Sequence, residues 1–305
     1  MTVSETFEQF LSGLELDKSY QEIVEDRHAA VRDYLESRLP GVRTQLIGSL
    51  QRRTRIDPLT GLQDFDIDIL VELFSFERWA LPGQGFTGED ALARVEGAVK
   101  DGVRYRKMGA HEDRPAIVIP YGDGSSIELV PALRDRVPGS PGYGRTYWVP
   151  RGGAWRPADY DYDANWISQA NTAADGRLVP TIKMLKAWRR AHCAEMRSYH
   201  LEVLAAHPVL PLVLAARQRG QLLPWPVLIA GTLATMIASS GEPALIVGST
   251  SEPADNYVTP VLRGVITAAI RAATQLAFLA NNLVSQSESQ SLQVWRGIFG
   301  PPFPA

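Results

Sequence analysis

IGSLQRRTRIDPLTGLQDFDIDILVEL, residues 47–73, sets a Gly-Ser pair ahead of a run in which aspartates alternate with apolar residues. In Asp64-Phe65-Asp66-Ile67-Asp68-Ile69 the period is two, so a strand carries Asp66 and Asp68 on one face and Phe65, Ile67, Ile69 and Val71 on the other. Carboxylates side by side on a strand repel. A compensating cation is called for, and divalent metal with phosphate meets the need. Asp64 shares the acidic face, so strand phase also admits the frame Asp64/Asp66. The uninterrupted apolar run Ile69-Leu70-Val71 favours Asp66/Asp68. For the aspartates alone, the competing reading is a solvated strand edge.

A second acidic strand follows in SIELVPAL, residues 126–133, where Ile127 and Leu129 face one side and Glu128 the other, beside Val130. An acid among apolar residues in a half-buried strand is costly unless something compensates it. Asp66, Asp68 and Glu128 from neighbouring strands would make an oxygen-rich site for two Mg²⁺ ions, with Mn²⁺ as a substitute. One metal lowers the pKa of an attacking hydroxyl, and the other steadies a triphosphate and its leaving pyrophosphate. Gly48 and Ser49 suit a phosphate grip, because glycine lets the backbone approach and the hydroxyl with successive N–H groups binds phosphate oxygens. Arg52, Arg53 and Arg55 either add positive charge there or lie on a solvated face.

The 305 residues suffice for one large or two intimate domains, and 45% hydrophobic with 21% charged residues is ordinary globular composition. A net charge of −3 lacks the global basic field of a dedicated nucleic-acid binder, so stable nucleic-acid binding is not expected. The single cysteine, Cys193, excludes an intramolecular disulfide and fits a reducing, cytoplasmic setting. The acidic N-terminus is no signal peptide. The apolar run Leu222 to Ala238 carries Pro224 and Pro226 and reads as a buried core helix rather than a membrane span.

Apolar spacing predicts one or two helices over Phe7 to Leu39, then a short strand from Val42 to Ile47. The carboxylate strand spans about Phe65 to Phe74, a helix Gly88 to Val99, and two strands Ala116 to Pro120 and Ser126 to Val130. Ser140 to Tyr162 reads as a long connection, in which Tyr147, Trp148, Trp155, Tyr160 and Tyr162 are base-stacking candidates or core. Beyond Asn165 the pattern is helical: about Leu178 to Cys193, Tyr199 to Ala206, Trp225 to Ser239 and Tyr257 to Leu283. The tail from Ser285 to Ala305 is expected to fray or lie on the surface. Two lobes are expected, 1–163 and 164–305.

In LVPTIKMLKAWRRAH, residues 178–192, Lys183, Lys186 and Arg190 form a basic stripe, while Leu178, Ile182 and Leu185 form the packing face. Such a stripe either faces solvent or reaches a triphosphate. Ser198, in RSYHLEVL, either caps the next helix or joins Lys183 at that triphosphate. The five histidines show no metal-ligand spacing, and His200 reads as a packed or capping residue.

Four motifs in order carry a resemblance: IGS at 47–49, DID at 66–68, IELVPA at 127–132, and the pair KMLKAW…SYHLE between Lys183 and Glu202. Together they resemble the CD-NTases, bacterial relatives of cyclic GMP-AMP synthase and oligoadenylate synthase within the polymerase-β-like nucleotidyltransferases. The resemblance implies an α+β, two-lobed fold, a mixed sheet with helices facing a helical lobe across the active-site cleft. It implies that Gly48 and Ser49 hold donor phosphates, that Asp66, Asp68 and Glu128 are the catalytic metal ligands, and that Lys183, Lys186 and Ser198 contact nucleotide. It further implies a template-independent enzyme joining ribonucleoside triphosphates, ATP among them, into a cyclic di- or trinucleotide for CBASS antiphage signalling. The messenger would reach a separate effector, and the enzyme would be a monomer open to a regulatory protein partner. The third acid of the family is commonly aspartate; here it is Glu128. The alternatives are transfer to another acceptor, such as an RNA end, a protein or an antibiotic, or a nucleotide-binding module with little catalysis.

Overall fold

The computed structural model describes residues 1–58, 65–75 and 85–304. The N-terminal amphipathic region forms two helices, α1 (Val3–Gly13) and α2 (Lys18–Arg38). Thr2 and Glu5 close a capping box at the first. Then come β1 (Arg43–Leu46), α3 (Gly48–Gln51), β2 (Asp66–Ser75), α4 (Gly88–Asp101), α5 (Val103–Lys107), β3 (His111–Asp113), β4 (Ala116–Pro120) and β5 (Ser126–Arg134). The expected strands are all present. Asp64 lies outside the described residues.

The sheet order is β1-β2-β5-β4-β3, with β2 and β5 parallel and the other pairs antiparallel. Two further strands occupy what the sequence suggests is a long connection: β6 (Tyr147–Arg151) pairs with the end of β5, and β7 (Ala154–Ala158) pairs with β6. Gly152 and Gly153 turn this hairpin at φ +58° and +76°. Glycine tolerates that conformation in two successive residues of a tight turn. Tyr147 belongs to the core here, fully buried.

One face of the sheet carries Phe65, Ile67, Ile69, Val71, Ile127 and Leu129 against Val31, Leu35, Val95 and Val99 of α2 and α4. The opposite face carries the acids at one end and Leu70, Val130, Ala132, Tyr147 and Val149 farther along. The period-two alternation thus sets both faces.

The helical lobe comprises α6 (Tyr160–Ala173), α7 (Leu178–His192), α8 (Ser198–Gln218), α9 (Trp225–Ser239), α10 (Pro260–Leu283) and α11 (Glu288–Phe299). Leu178, Ile182 and Leu185 are fully buried, as the spacing predicts. The helix α8 continues through Pro208 and Pro211, because Val209, Val213 and Ala216 remain buried on its core side. By length and composition α8 and α10 could cross a membrane, yet most of α8 is buried against its neighbours.

The structure departs from the expected halves in two places. The first helix packs into the helical lobe's core through Val3, Phe7, Phe10 and Leu14, not into the sheet lobe. The tail does not fray: Trp295, Phe299 and Phe303 are buried. Phe7 lies edge-on to Trp295 at 5.0 Å and Phe10 lies 4.8 Å from Phe299. Clusters of this kind gain both apolar burial and aromatic edge contacts.

Candidate active site

Strand pairing brings the acids together. Asp68 is in register with Glu128, and Asp66 with Ser126, across the parallel β2–β5 pair. All four side chains therefore share one face. The Ser126 hydroxyl donates to Asp66 Oδ1 at 2.6 Å. Burial pushes Asp68 up to about 6, with Asp66 adding to the rise and Arg52 opposing it. Burial, then the neighbouring Asp68 and Asp66, push Glu128 up to about 7. Each carboxylate that ionises makes the next harder to ionise.

Beside them stands the Gly48–Ser49 turn. The Ile47 N–H donates to the Asp68 carbonyl at 2.9 Å, tying the end of β1 to β2. Gly48 has φ +69°, and a Cβ there would lie 2.0 Å from Asp68 Oδ2, so only glycine fits this approach. The half-buried Ser49 hydroxyl has no protein partner among the described residues. The turn is held from one side by Asp161, which accepts from Gln51 Nε2 at 2.8 Å and Gln45 Nε2 at 3.1 Å.

Helices α7 and α8 hold it as well. Lys186 Nζ donates to the Thr54 carbonyl at 2.8 Å and to Thr54 Oγ1 at 3.2 Å, and pairs with Glu202 Oε1 at 2.7 Å. Arg52 Nε pairs with Glu202 Oε2 at 2.7 Å, and its guanidinium lies 4.6 Å over the Tyr199 ring. Arg190 Nη1 donates to the Asp57 carbonyl at 3.0 Å. The buried part of the α7 basic stripe, Lys183 and Lys186, is therefore no solvated face, and Lys186 with the exposed Arg190 clips the segment that follows the turn.

Lys186, expected at the nucleotide, is engaged within the protein. Its three ammonium hydrogens meet three protein acceptors, the Thr54 carbonyl and hydroxyl and the Glu202 carboxylate. Lys183 is also buried, and its single protein partner among the described residues is Glu15 Oε2 at 2.6 Å, which leaves two donors. Ser198 does not cap: α8 begins at Ser198 itself with Arg197 as the N-cap residue. Its hydroxyl is half-buried, without a protein partner among the described residues. His200 is buried beside the Tyr257 hydroxyl at 3.1 Å, a packed histidine held down to about 4 by burial.

Residues 1–171 match the model of the Second Messenger Oligonucleotide or Dinucleotide Synthetase domain. The chain belongs to this family. The matched span contains the turn and all three acids, and it ends within α6. A cyclic AMP-AMP-AMP synthase from Acinetobacter sp. is 26% identical over 220 residues, covering 68% of this chain and 58% of that protein. The matched region thus spans little more than half the length of that relative. The structure of CdnC from E. coli MS115-1 with ATP is similar at TM-score 0.71 and 15% identity, over 99% of this chain and 98% of that one. The same protein is known as a CdnC:HORMA-deltaN complex. The CD-NTase CdnG from Bradyrhizobium diazoefficiens, in complex with GTP, has TM-score 0.70 and 15% identity over 97% of this chain and 94% of that one. The CD-NTase membership and the two-lobed α+β fold expected from the ordered motifs are borne out.

In this family a divalent cation is implied, and the acidic face suits one. Its donors are hard carboxylate oxygens, and Asp68 and Glu128 both stay raised, Asp68 even with Arg52 and Lys186 opposing the rise and Glu128 with only acids around it. Among the described residues no three His, Cys, Asp or Glu side chains close into a ready-made cage. Sequence reasoning missed Ser126, Asp161 and Glu202. Ser126 left a signal, since Ser126/Glu128 repeats the spacing of Asp66/Asp68 on the partner strand, and Glu202 closes the SYHLE motif without a role being read from it.

Proposed function

We propose that this chain is a template-independent, Mg²⁺-dependent nucleotidyltransferase that joins ribonucleoside triphosphates into a cyclic di- or trinucleotide. The observation that carries this is the register of Asp66, Asp68 and Glu128 on one sheet face, beside a turn where only Gly48 fits. Asp66, Asp68 and Glu128 would hold the metal, which supplies charge neutralisation at the α-phosphate and a more acidic attacking hydroxyl. Gly48 and Ser49 would bind donor phosphates from the sheet lobe, with Lys183 and Ser198 reaching the triphosphate from the helical lobe. A ribose 3′- or 2′-hydroxyl oxygen forms the new bond to the α-phosphorus as the bond to the bridging oxygen breaks. Pyrophosphate leaves, and the hydroxyl proton departs to a carboxylate of the cluster. Alignment of the attacking oxygen with the leaving group supplies much of the acceleration.

Kinship with messenger synthetases supports a signalling role; the proposal extends it to antiphage defence in the cytoplasm, with an effector reached through the diffusible product. The HORMA-deltaN complex of CdnC supports a regulatory protein partner here too. The test is direct: pure protein is incubated with the four NTPs alone, and phosphatase-resistant product is read by mass spectrometry. Asp66→Ala/Asp68→Ala should reduce that product to background. Product persisting in the double variant overturns the assignment, and product forming only with an added RNA, protein or antibiotic moves the activity to that acceptor.

A further inference from the structure

Glu202 is fully buried and 150 positions from Arg52 in sequence, yet its two oxygens hold two different cations. Through Arg52 it reaches back to the turn, because the Arg52 N–H donates to the Gly48 carbonyl at 3.2 Å. Through Lys186 it reaches Thr54, whose N–H donates to the Ser49 carbonyl at 2.9 Å. The carboxylate thus closes a ring around residues 48–54 from inside the helical lobe. Burial alone would push Glu202 up, but Arg52 and Lys186 outweigh it and hold the carboxyl at about 2, so it stays anionic.

Both of its partners also act on the acidic face. The charges of Arg52 and Lys186 are felt at Asp68, where each favours the ionised carboxylate. A buried cation released from its partner seeks the nearest anion, since leaving it unpaired is strongly unfavourable. Geometry makes the same link: the turn that carries Arg52 presses on Asp68, where a Cβ on Gly48 would lie 2.0 Å from Oδ2.

Resting on the metal-dependent function above, we infer that Glu202 is a positioning residue for nucleotidyl transfer. By engaging Arg52 and Lys186 it pins the Gly48–Thr54 turn and keeps both cations from collapsing onto Asp68, leaving that carboxylate open to a divalent cation. The carboxylate is too deeply buried and too fully paired to touch substrate itself. Its effect passes through Arg52 and Lys186.

The measurement is Mn²⁺ binding to the full chain by isothermal titration, with circular dichroism as a check of folding and the KM for ATP as a second readout. Glu202→Gln should weaken Mn²⁺ binding about 10- to 100-fold, the range seen when groups that orient metal ligands are removed. Adding Arg52→Met to that variant removes the competing cation and should recover binding most of the way. A merely structural role predicts the reverse, a second deletion making matters worse. Unchanged Mn²⁺ affinity in folded Glu202→Gln, or no recovery in the double variant, overturns the inference. Should Glu202→Gln fail to fold, Arg52→Met/Lys186→Met/Glu202→Gln takes its place, because apolar replacement of a whole buried ion cluster often preserves a fold. Restoring Arg52 alone to that background, as Lys186→Met/Glu202→Gln, should then weaken Mn²⁺ binding relative to the triple variant; equal affinity, or failure of the triple variant to fold, overturns the inference. Absence of Mn²⁺ binding by the wild-type chain would strike instead at the metal-dependent function.

Discussion

Two glutamates of this protein stand in opposite electrostatic conditions. Glu202 has no exposed surface, yet it is held ionised at about 2. Glu128 is only half-buried, yet it is pushed up to about 7. Burial disfavours the charge in both, so burial does not explain the difference. Partners do: Glu202 meets Arg52 and Lys186, whereas Glu128 meets Asp68 and Asp66. The first carboxylate is complete within the fold. The second is paired with its own kind, and that mismatch marks the place where the protein expects a positive charge from outside.

Removing the satisfied acid should hurt most. Glu202→Ala strands two buried cations and should destabilise the chain by about 3–5 kcal/mol, read as a lowered midpoint in urea denaturation. A change under about 1 kcal/mol, the scale of an exposed pair, would place the cluster in contact with water and erase the contrast. Next in size, Gly48→Ala forces a left-handed backbone onto a residue with a Cβ and drives that Cβ into Asp68. A loss of about 1–3 kcal/mol is expected from strained backbone of this kind, accompanied by loss of product formation. Normal activity in the variant would mean that the turn does not need its approach to Asp68.

A smaller effect concerns pH. Asp68 and Glu128 both titrate above their ordinary values, so the folded state favours their protonated forms. Their contribution to stability is present at low pH and is lost as pH rises through about 6 and 7. The chelator-treated protein should therefore lose stability between about pH 4 and about pH 7, and added Mg²⁺ should restore more at the upper end. Thermal melts across that range, with and without Mg²⁺, provide the check; a flat profile would show that the acids do not oppose one another. The smallest effect runs the other way. Glu128→Gln removes one like charge and should stabilise the metal-free protein at about pH 8 by roughly 1 kcal/mol or less, while lowering product formation. Destabilisation by Glu128→Gln would place Glu128 with Glu202 among the satisfied acids.

Much of the acid face was legible because strand alternation is local. Phe65, Ile67 and Ile69 had to share a face, and that phase alone put Asp66 and Asp68 opposite them. Glu128 was legible for the same reason, although its register with Asp68 was not. The β6–β7 hairpin was missed despite Gly152-Gly153, because its strands are short and mix charged, proline and aromatic residues without clear alternation. The tail was missed because Trp295, Phe299 and Phe303 find their partners, Phe7 and Phe10, at the other end of the chain.

The sequence by itself determined which residues can share a strand or helix face, since those periods are fixed by backbone geometry within a few residues. It therefore determined the acidic face, the glycine turn and the apolar side of α7. Only the tertiary structure decided what each polar face meets. Lys183, Lys186 and Arg190 formed one stripe in sequence, but Lys186 became a buried clasp because Thr54 and Glu202 arrive from distant positions to satisfy it. Charge–charge energies depend on distance and burial, and neither is set by spacing along the chain.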